Sequence, residues 1–204
     1  MYSIVKNIIE EKLILVSSER KEVLQPLIEF VQSKVDNKQA VNLNFICTHN
    51  SRRSHLSQIW AQTMASHYSV NNVNCYSGGT EATALFSKVA VTLQNQGFQI
   101  QKLSDDSNPV YAIKYSENEP PIICFSKTFD DEFNPRLNFA AIMTCSSADE
   151  GCPFIAGAEK RLPIRYEDPK IFDGTDLMDV KYLERSIEIA SEMNYVFSQI
   201  KNNN

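Results

Sequence analysis

Hydrophobic residues recur at helical spacing over the first 40 residues of the chain and then give way to a strand-like run. Ser18 is a candidate N-cap, and Pro26 falls inside the helical pattern, where we expect a kink or a later helix start. The apolar positions of this helix are Val23, Leu24, Leu27, Ile28, Phe30 and Val31. Residues 41–47 (VNLNFIC) are rich in β-formers and end in the polar stretch THNSRRS, and helical spacing resumes at Ser54. This order predicts a strand, a tight loop and a helix.

A second strand and helix follow in the same order. Residues 72–77 (NVNCYS) predict a strand and Gly78-Gly79 a turn, and the next amphipathic helix, around Leu85 to Leu93, is expected to end at Gly97. The runs VYAIKYS and PIICFS then flank ENEP, which predicts a β-hairpin.

The last third of the chain contains one more clear strand and one more clear helix. Residues 139–145 (FAAIMTC) are largely apolar and predict a buried strand, and a polar loop region is expected from there to Asp168-Pro169. Residues 176–201 predict a long amphipathic helix. Strands that alternate with helices predict an α/β domain with a mostly parallel sheet, right-handed crossovers and a site at the carboxyl ends of the strands.

Composition and charge narrow the possible partners. The chain has 204 residues, of which 43% are hydrophobic and 22% charged, which suits one globular domain with additions. The formal net charge of -5 disfavours nucleic acid and acidic membrane surfaces as partners. The N-terminus has neither a signal-peptide pattern nor any run long enough to span a bilayer, so we expect a cytoplasmic protein.

Five cysteines divide into two groups. An odd number argues against a secreted disulfide framework. Cys75 and Cys124 lie inside strand-like runs and are expected to be small buried hydrophobes. Cys47, Cys145 and Cys152 lie at strand ends or in loops, where reactive cysteines are found.

The segment from Cys47 to Ser54, CTHNSRRS, carries the first candidate chemistry. Backbone amides of such a loop converge on a tetrahedral anion, and the start of the following helix adds its dipole. Arg53 can clamp the anion with two parallel hydrogen bonds, and the same positive field favours the thiolate of Cys47. The alternative is a cysteine that ends a strand and an arginine on a helix face. A zinc site from Cys47, His49 and His55 lacks a fourth ligand and the usual spacing, so we expect no metal.

CTHNSRRS and YSGGTEATA resemble the low-molecular-weight protein tyrosine phosphatase superfamily, and specifically its thioredoxin-coupled arsenate reductase branch. The family loop C-T-G-N-S-C-R-S matches six of the eight positions here. The resemblance implies a Rossmann-like, three-layer α/β sandwich with a nucleophile at Cys47 and a thiol-activating Ser54. It also implies an anion site formed by Thr48, His49, Asn50, Ser51, Arg52 and Arg53. His49 replaces a family glycine, which we expect either to strain the loop or to touch the oxyanion, and Arg52 is expected to be solvated.

Cys145-Ser-Ser-Ala-Asp-Glu-Gly-Cys152-Pro153 carries the second candidate chemistry. The arsenate reductase branch has C-S-D-A-D-x-x-C-P after the same strand, whereas plain phosphatases of the fold do not use this pair. Reduction of arsenate needs two electrons, and successive thiol–disulfide exchange can supply them and carry the disulfide to the surface. Gly151 lies in a loop that we expect to move so that the two cysteines meet. The alternative is a pair of structural cysteines at a strand end.

The acidic pair before Pro169 supplies a candidate general acid. Tyr166-Glu167-Asp168-Pro169 resembles the family's D-P loop, in which the aspartate protonates the leaving oxygen. Asp168 is the first candidate and Glu167 the second, and the alternative is an Asp-Pro turn without catalytic role. Only Phe172 follows as an aromatic residue that could hold a phosphotyrosine.

These observations lead to a preferred function and two alternatives. We expect an arsenate reductase with a Cys47–Cys145–Cys152 relay, a thioredoxin-like reductant and no cofactor. The alternatives are a phosphatase that uses a phosphocysteine intermediate at Cys47, and a non-catalytic anion sensor. Family members with a potassium site carry a glutamate at the position of Gln58, so the resemblance does not decide whether this chain binds potassium. We predict a helical extension over residues 1–40, a catalytic domain over 41–204 and an insertion at about 103–138.

Overall fold

The computed structural model describes residues 1–201 and has a central sheet of four parallel strands. These strands, numbered along the chain, are β1 (Val41–Cys47), β2 (Val73–Gly79), β6 (Phe139–Met143) and β7 (Ala158–Pro163). Their order across the sheet is β2-β1-β6-β7. In this register Cys47 lies opposite Gly79, so the carboxyl end of β1 is flanked by the ends of β2 and β6.

Residues 1–201 also form six α-helices. They are α1 (Ser3–Glu11), α2 (Ser18–Asp36), α3 (Arg53–His67), α4 (Ser87–Asn95), α5 (Ser146–Gly151) and α6 (Met178–Ser198), with a 3-10 turn at Pro169–Phe172. Trp60 of α3 is fully buried and donates from Nε1 to Ser186 Oγ of α6 at 2.9 Å. Burial of such an aromatic side chain contributes a large share of core stability. The parallel-sheet α/β fold predicted from the sequence is therefore confirmed.

A second, antiparallel sheet is formed by β3 (Gln99–Lys102), β4 (Tyr111–Lys114) and β5 (Ile122–Cys124). The predicted hairpin is β4 and β5. The strand β3 was not predicted, because its four residues, QIQK, carry one apolar side chain and give no alternating pattern of useful length. The N-terminus contacts the residue that follows β4, since the Tyr2 amide donates to the Tyr115 carbonyl at 2.9 Å.

Several local predictions need correction. The N-cap of α2 is Ser17, whose Oγ accepts from the Arg20 amide at 3.2 Å, rather than Ser18. The helix runs through Pro26, which lies in its third turn, instead of starting after it. On both sides of Pro26 its apolar face is buried, at Leu24, Leu27, Ile28, Phe30 and Val31, whereas Val23 is exposed. Gly78 and Gly79 end the strand β2 and do not form a turn. The expected polar loop after residue 145 contains α5 and β7, whose sequences are too polar to show a periodic pattern.

The N-terminal helices share the hydrophobic core of the sheet. Leu24, Leu27 and Val31 of α2 are fully buried in the same cluster as Leu43 and Phe45 of β1. The boundary at residue 40 remains a prediction. Among the described residues, none of the helices combines the length and apolar character that a bilayer requires.

Candidate active site

Residues 48–52 join β1 to α3 at the carboxyl edge of the sheet. Cys47, which is 3% exposed, ends β1, and Arg53 begins α3. Within residues 1–201, the backbone amides of this loop donate to no backbone carbonyl. Amides at the start of a 15-residue helix attract an anion, because the helix dipole adds to their own. The loop therefore provides a place for a tetrahedral oxyanion next to the Cys47 sulfur.

A chain of polar contacts holds the nucleophile. The sulfur of Cys47 lies 3.1 Å from Ser54 Oγ, which accepts from Asn50 Nδ2 at 2.9 Å. Because Ser54 Oγ accepts this hydrogen bond from Asn50, its own proton is oriented to donate to a thiolate at Cys47. A second hydrogen bond holds the Asn50 side chain, since its Oδ1 accepts from the Lys127 amide at 2.9 Å.

The left-handed backbone of the loop is at Asn50 and not at His49. Asn50 has φ of 42°, a region that asparagine tolerates better than most residues, and His49 does not adopt positive φ. The expectation that the missing glycine strains the loop at His49 is therefore wrong. The His49 ring lies against Glu81, with Nδ1 3.4 Å from a carboxylate oxygen. A contact between His49 and the oxyanion stays a prediction.

Gly79 lets the end of β2 approach the loop closely. A Cβ at this position would lie 2.7 Å from both the Asn50 amide nitrogen and the Thr48 carbonyl oxygen. The amide of Thr80 donates to the Cys47 carbonyl at 3.1 Å, and that of Glu81 to the Thr48 carbonyl at 2.9 Å. Gly79 thus serves close packing of the backbone against the loop, whereas Gly78 packs against the backbone of Phe129.

Arg53 is held by the segment that follows β7. Its Nη2 donates to Asp168 Oδ2 at 2.5 Å, and its Nη1 donates to the Tyr166 carbonyl at 3.0 Å. Its Nε is buried and has no partner among residues 1–201. A buried donor left unpaired costs free energy, so an oxyanion that accepts from Nε is favoured at this position. The two predicted residues, Arg53 and Asp168, therefore meet.

Arg52 is engaged in structural contacts. Its Nε donates to the Tyr182 hydroxyl at 2.6 Å, its Nη2 donates to Asp173 at 2.7 Å, and its guanidinium lies 4.1 Å from the centre of the Phe86 ring. The side chain is only 11% exposed, so the expectation that Arg52 is solvated is wrong. No local pattern could predict these partners, because Asp173 and Tyr182 lie more than 120 residues from Arg52 along the chain. Anion binding by Arg52 remains untested.

The three candidate redox cysteines lie near one another in the chain's second buried cluster. Cys145 is 1% exposed, and its sulfur lies 3.5 Å from Thr48 Oγ1, in the residue next to Cys47. The same sulfur accepts from the Ala148 amide at 3.4 Å and so caps α5. Cys152 follows the other end of α5 and is partly exposed. Cys47 and Cys145 are therefore buried, and Cys152 is the more exposed member of the three.

The remaining two cysteines have the environment expected for core residues. Cys75 and Cys124 are buried in β2 and β5. Burial raises the pKa of the Cys75 thiol and raises that of Cys124 to about 12. Both side chains therefore stay protonated and unreactive near neutral pH.

Lys127 is a buried cation that the sequence did not single out. It is 2% exposed, and its Nζ donates to the Phe125 carbonyl at 3.3 Å and lies 4.3 Å from the centre of the Phe125 ring. Burial lowers the pKa of Lys127 to about 8. The pKa of His55 falls to about 3, first through burial and then through the charge of Lys127. His55 is therefore neutral near pH 7.

The residues that correspond to the family's potassium site do not fit the ion. The Oδ1 of Asn50 already accepts from the backbone amide of Lys127, and Ser77 Oγ lies 3.1 Å from His55 Nδ1. Gln58 offers a neutral oxygen, which lies 3.8 Å from the Cys124 sulfur. The buried ammonium of Lys127 adds repulsion, so no step is assigned to potassium.

No family model matches the sequence, and a comparison with curated proteins finds no match. Solved structures do match. A low-molecular-weight phosphotyrosine phosphatase from Vibrio cholerae O395 is 13% identical, with 78% of this chain and 95% of that chain covered and a TM-score of 0.53. The YwlE mutant from Bacillus subtilis is 16% identical, with 78% and 98% covered and a TM-score of 0.53. The chain has the low-molecular-weight protein tyrosine phosphatase fold.

An arsenate reductase from Archaeoglobus fulgidus is also among the matches, with 16% identity, 77% of this chain and 99% of that chain covered, and a TM-score of 0.45. The phosphatase-type fold predicted from CTHNSRRS is confirmed by the two closer superpositions. At these identities the matches show the fold alone, and the activity depends on the residues of the site.

Replacing Lys127 by methionine is expected to stabilise the protein at pH 7. The folded state holds the ammonium at a pKa of about 8 instead of 10.5, which amounts to about 3 kcal/mol of destabilisation below pH 8. The unfolded chain binds the extra proton between these two values, so this destabilisation disappears as pH rises from 8 to 10.5. Denaturant unfolding of both proteins at pH 7 and pH 10.5 measures the difference.

Lys34→Met is the matched control. Lys34 is also buried, but its Nζ lies 2.7 Å from a carboxylate oxygen of Glu159, so its removal leaves a charge without its partner. The Lys34→Met substitution is expected to lower the stability of the protein or to leave it unchanged. A Lys127→Met protein that is less stable than the wild type at pH 7 contradicts the prediction.

Proposed function

We propose that this protein reduces arsenate to arsenite through a disulfide relay of Cys47, Cys145 and Cys152. The observation that carries the proposal is the position of Cys145, whose sulfur lies 3.5 Å from the hydroxyl of Thr48 in the anion loop. A second thiol near the nucleophile is not needed for hydrolysis of a phosphate ester. It is the group that a two-electron reduction requires.

The first step joins arsenate to Cys47. The loop amides and Arg53 bind the oxyanion, and Arg53 then shares its guanidinium between the anion and Asp168, which lies 2.5 Å away. The Cys47 thiolate attacks arsenic, and Asp168 donates a proton to the departing hydroxyl, which leaves as water. Ser54, at 3.1 Å from the sulfur, stabilises the thiolate before attack.

The second step transfers two electrons. The Cys145 thiolate attacks the Cys47 sulfur, the sulfur–arsenic bond breaks, and its electron pair stays on arsenic, so arsenate leaves as arsenite. Cys152 next attacks Cys145 and frees Cys47, and a dithiol reductant of the thioredoxin class reduces the Cys145–Cys152 disulfide. Cys152 is the partly exposed member of the three, which suits it for contact with a protein partner.

The last exchange needs a change in α5. Cys145 and Cys152 stand at its two ends, and at 1.5 Å per residue seven steps of helix separate their Cα atoms by about 10 Å. A disulfide tolerates a Cα separation of at most about 7 Å. The segment expected to be a mobile loop is thus a helix, which has to unwind when the disulfide forms.

A phosphatase is the second candidate, and a specific observation favours it. Cys47, Ser54, Arg53 and Asp168 form a complete set for hydrolysis of a phosphate ester through a phosphocysteine, without Cys145 or Cys152. The structural match from Vibrio cholerae is a phosphotyrosine phosphatase. A sensor that binds the oxyanion without chemistry is the remaining class.

The test measures arsenate-dependent NADPH oxidation by the purified protein with thioredoxin and thioredoxin reductase, and p-nitrophenyl phosphate hydrolysis in parallel. We expect arsenate turnover that stops when thioredoxin is left out. Ester hydrolysis without arsenate turnover would instead assign the phosphatase, and neither activity together with phosphate binding would assign the sensor.

A further inference from the structure

A cluster of opposite charges fastens α5 to the central sheet. The carboxylate of Asp149, which is 7% exposed, lies 2.5 Å from Arg161 Nη2 and accepts from Arg165 Nε at 2.6 Å. Arg161 stands in β7 and Arg165 two residues beyond it. Two arginines on one buried carboxylate form charge-assisted hydrogen bonds, which are stronger than neutral ones.

The same cluster reaches the end of the helix that carries the exposed cysteine. Arg161 Nε donates to the Cys152 carbonyl at 2.8 Å, and its Nη2 donates to the Asp149 carbonyl. The helix has six residues, a length at which a helix does not persist on its own in water. Its folded form therefore depends on these contacts and on the cap that the Cys145 sulfur provides.

We propose that Asp149, clamped by Arg161 and Arg165, is a latch that keeps α5 folded in the dithiol state and opens when Cys145 and Cys152 join. The proposal rests on the proposed relay and makes Asp149 a positioning residue. The helix cannot contain the disulfide, since its ends stand about 10 Å apart. Contacts that stabilise the folded helix therefore make formation of the Cys145–Cys152 disulfide less favourable by the same free energy.

The latch sets the redox balance of the relay. In its presence the Cys145–Cys152 disulfide is easier to reduce, because reduction restores the ion pairs as well as the helix. This favours return of the enzyme to the dithiol state by the partner. Without the latch the helix is already loosened, and the disulfide is the more stable form.

The test is a redox titration of the isolated cysteine pair. In a Cys47→Ser background, the protein is equilibrated with mixtures of oxidised and reduced dithiothreitol, and the fraction of the disulfide is read by alkylation and mass spectrometry. The two thiols lose two electrons and two protons, and oxidised dithiothreitol takes both. We expect Asp149→Asn to raise the equilibrium constant for disulfide formation about tenfold, the factor for loss of one charge-assisted contact.

Glu150→Gln is the matched control, because Glu150 is an exposed acid on the same helix. It is expected to leave the titration unchanged. The Asp149→Asn change should also lower stability to urea in the dithiol form and not in the disulfide form, which a general structural defect would not do. If Asp149→Asn does not fold, Arg165→Gln removes one arm of the latch from a half-exposed side chain, and a shift in the same direction is expected.

The outcomes separate the latch from the relay. Equal equilibrium constants for the wild-type pair and the folded variant overturn the latch and leave the relay standing. A pair that forms no disulfide even with an excess of a strong thiol oxidant such as diamide, in the otherwise wild-type chain, overturns the relay, and the latch with it.

Discussion

Cys145→Ser is expected to abolish thioredoxin-dependent arsenate turnover and to leave p-nitrophenyl phosphate hydrolysis at its wild-type rate. Cys47 can still form the arsenate adduct, but a hydroxyl cannot take over the sulfur and release the electron pair to arsenic. The serine can keep the contacts of the sulfur with Thr48 Oγ1 and the Ala148 amide, so the loop and the cap of α5 are expected to persist. NADPH oxidation and p-nitrophenol release measure the two activities.

Cys152→Ser separates the two exchanges of the relay. The first exchange remains possible, so this variant is expected to release one arsenite per protein molecule and then stop with a Cys47–Cys145 disulfide, visible as a loss of two mass units. Cys75→Ala is the control, because Cys75 is a buried strand residue outside the site. Sustained arsenate turnover by Cys145→Ser contradicts the relay. If the wild type and both variants release no arsenite, the phosphatase becomes the better-supported function.

The elements that the sequence predicted well are those in which pattern and environment agree. VNLNFIC is apolar enough to show a buried parallel strand, and the polar loop after it begins at the residue where the strand ends. The strand β7 could not be recognised in the same way. It lies at the edge of the sheet, and its sequence AEKRLP alternates little because most of its side chains remain in contact with solvent.

In the site, contacts within one local segment could be predicted from the sequence, and contacts between distant segments could not. The spacing of Cys47 and Arg53 fixes their placement, since both lie within one strand–loop–helix unit. The ion pair of Arg53 with Asp168, the hydrogen bond from the Lys127 amide to Asn50 and the contact of Asp149 with Arg161 join segments that are distant in sequence or lie on different elements. No local pattern encodes such contacts, and tertiary packing decides them.

Asp168→Asn is expected to lower the rate of the step that expels hydroxide or a poor alkoxide by about 10²–10⁴-fold, the usual contribution of a general acid. The loss should be smaller for p-nitrophenyl phosphate, because p-nitrophenolate leaves without a proton. Affinity for inorganic phosphate should rise, since the carboxylate that lies 2.5 Å from Arg53 Nη2 and competes with the anion becomes neutral. Initial rates with phenyl and p-nitrophenyl phosphate, and protection of Cys47 from iodoacetamide by phosphate, measure these effects.

Glu167→Gln decides between the two candidate acids. Glu167 is exposed and stands next to Asp168, yet it is Asp168 that contacts Arg53, while its other oxygen accepts from the Lys170 amide at 3.0 Å. We therefore expect Glu167→Gln to keep both the rate and the phosphate affinity of the wild type. Equal losses in the two variants would point to the summed negative charge of the segment, and a loss confined to Glu167→Gln would transfer the role of acid to Glu167. Only a loss confined to Asp168→Asn, together with tighter phosphate binding, fits a carboxyl group that holds Arg53 when the site is empty and gives up its proton when the anion is bound.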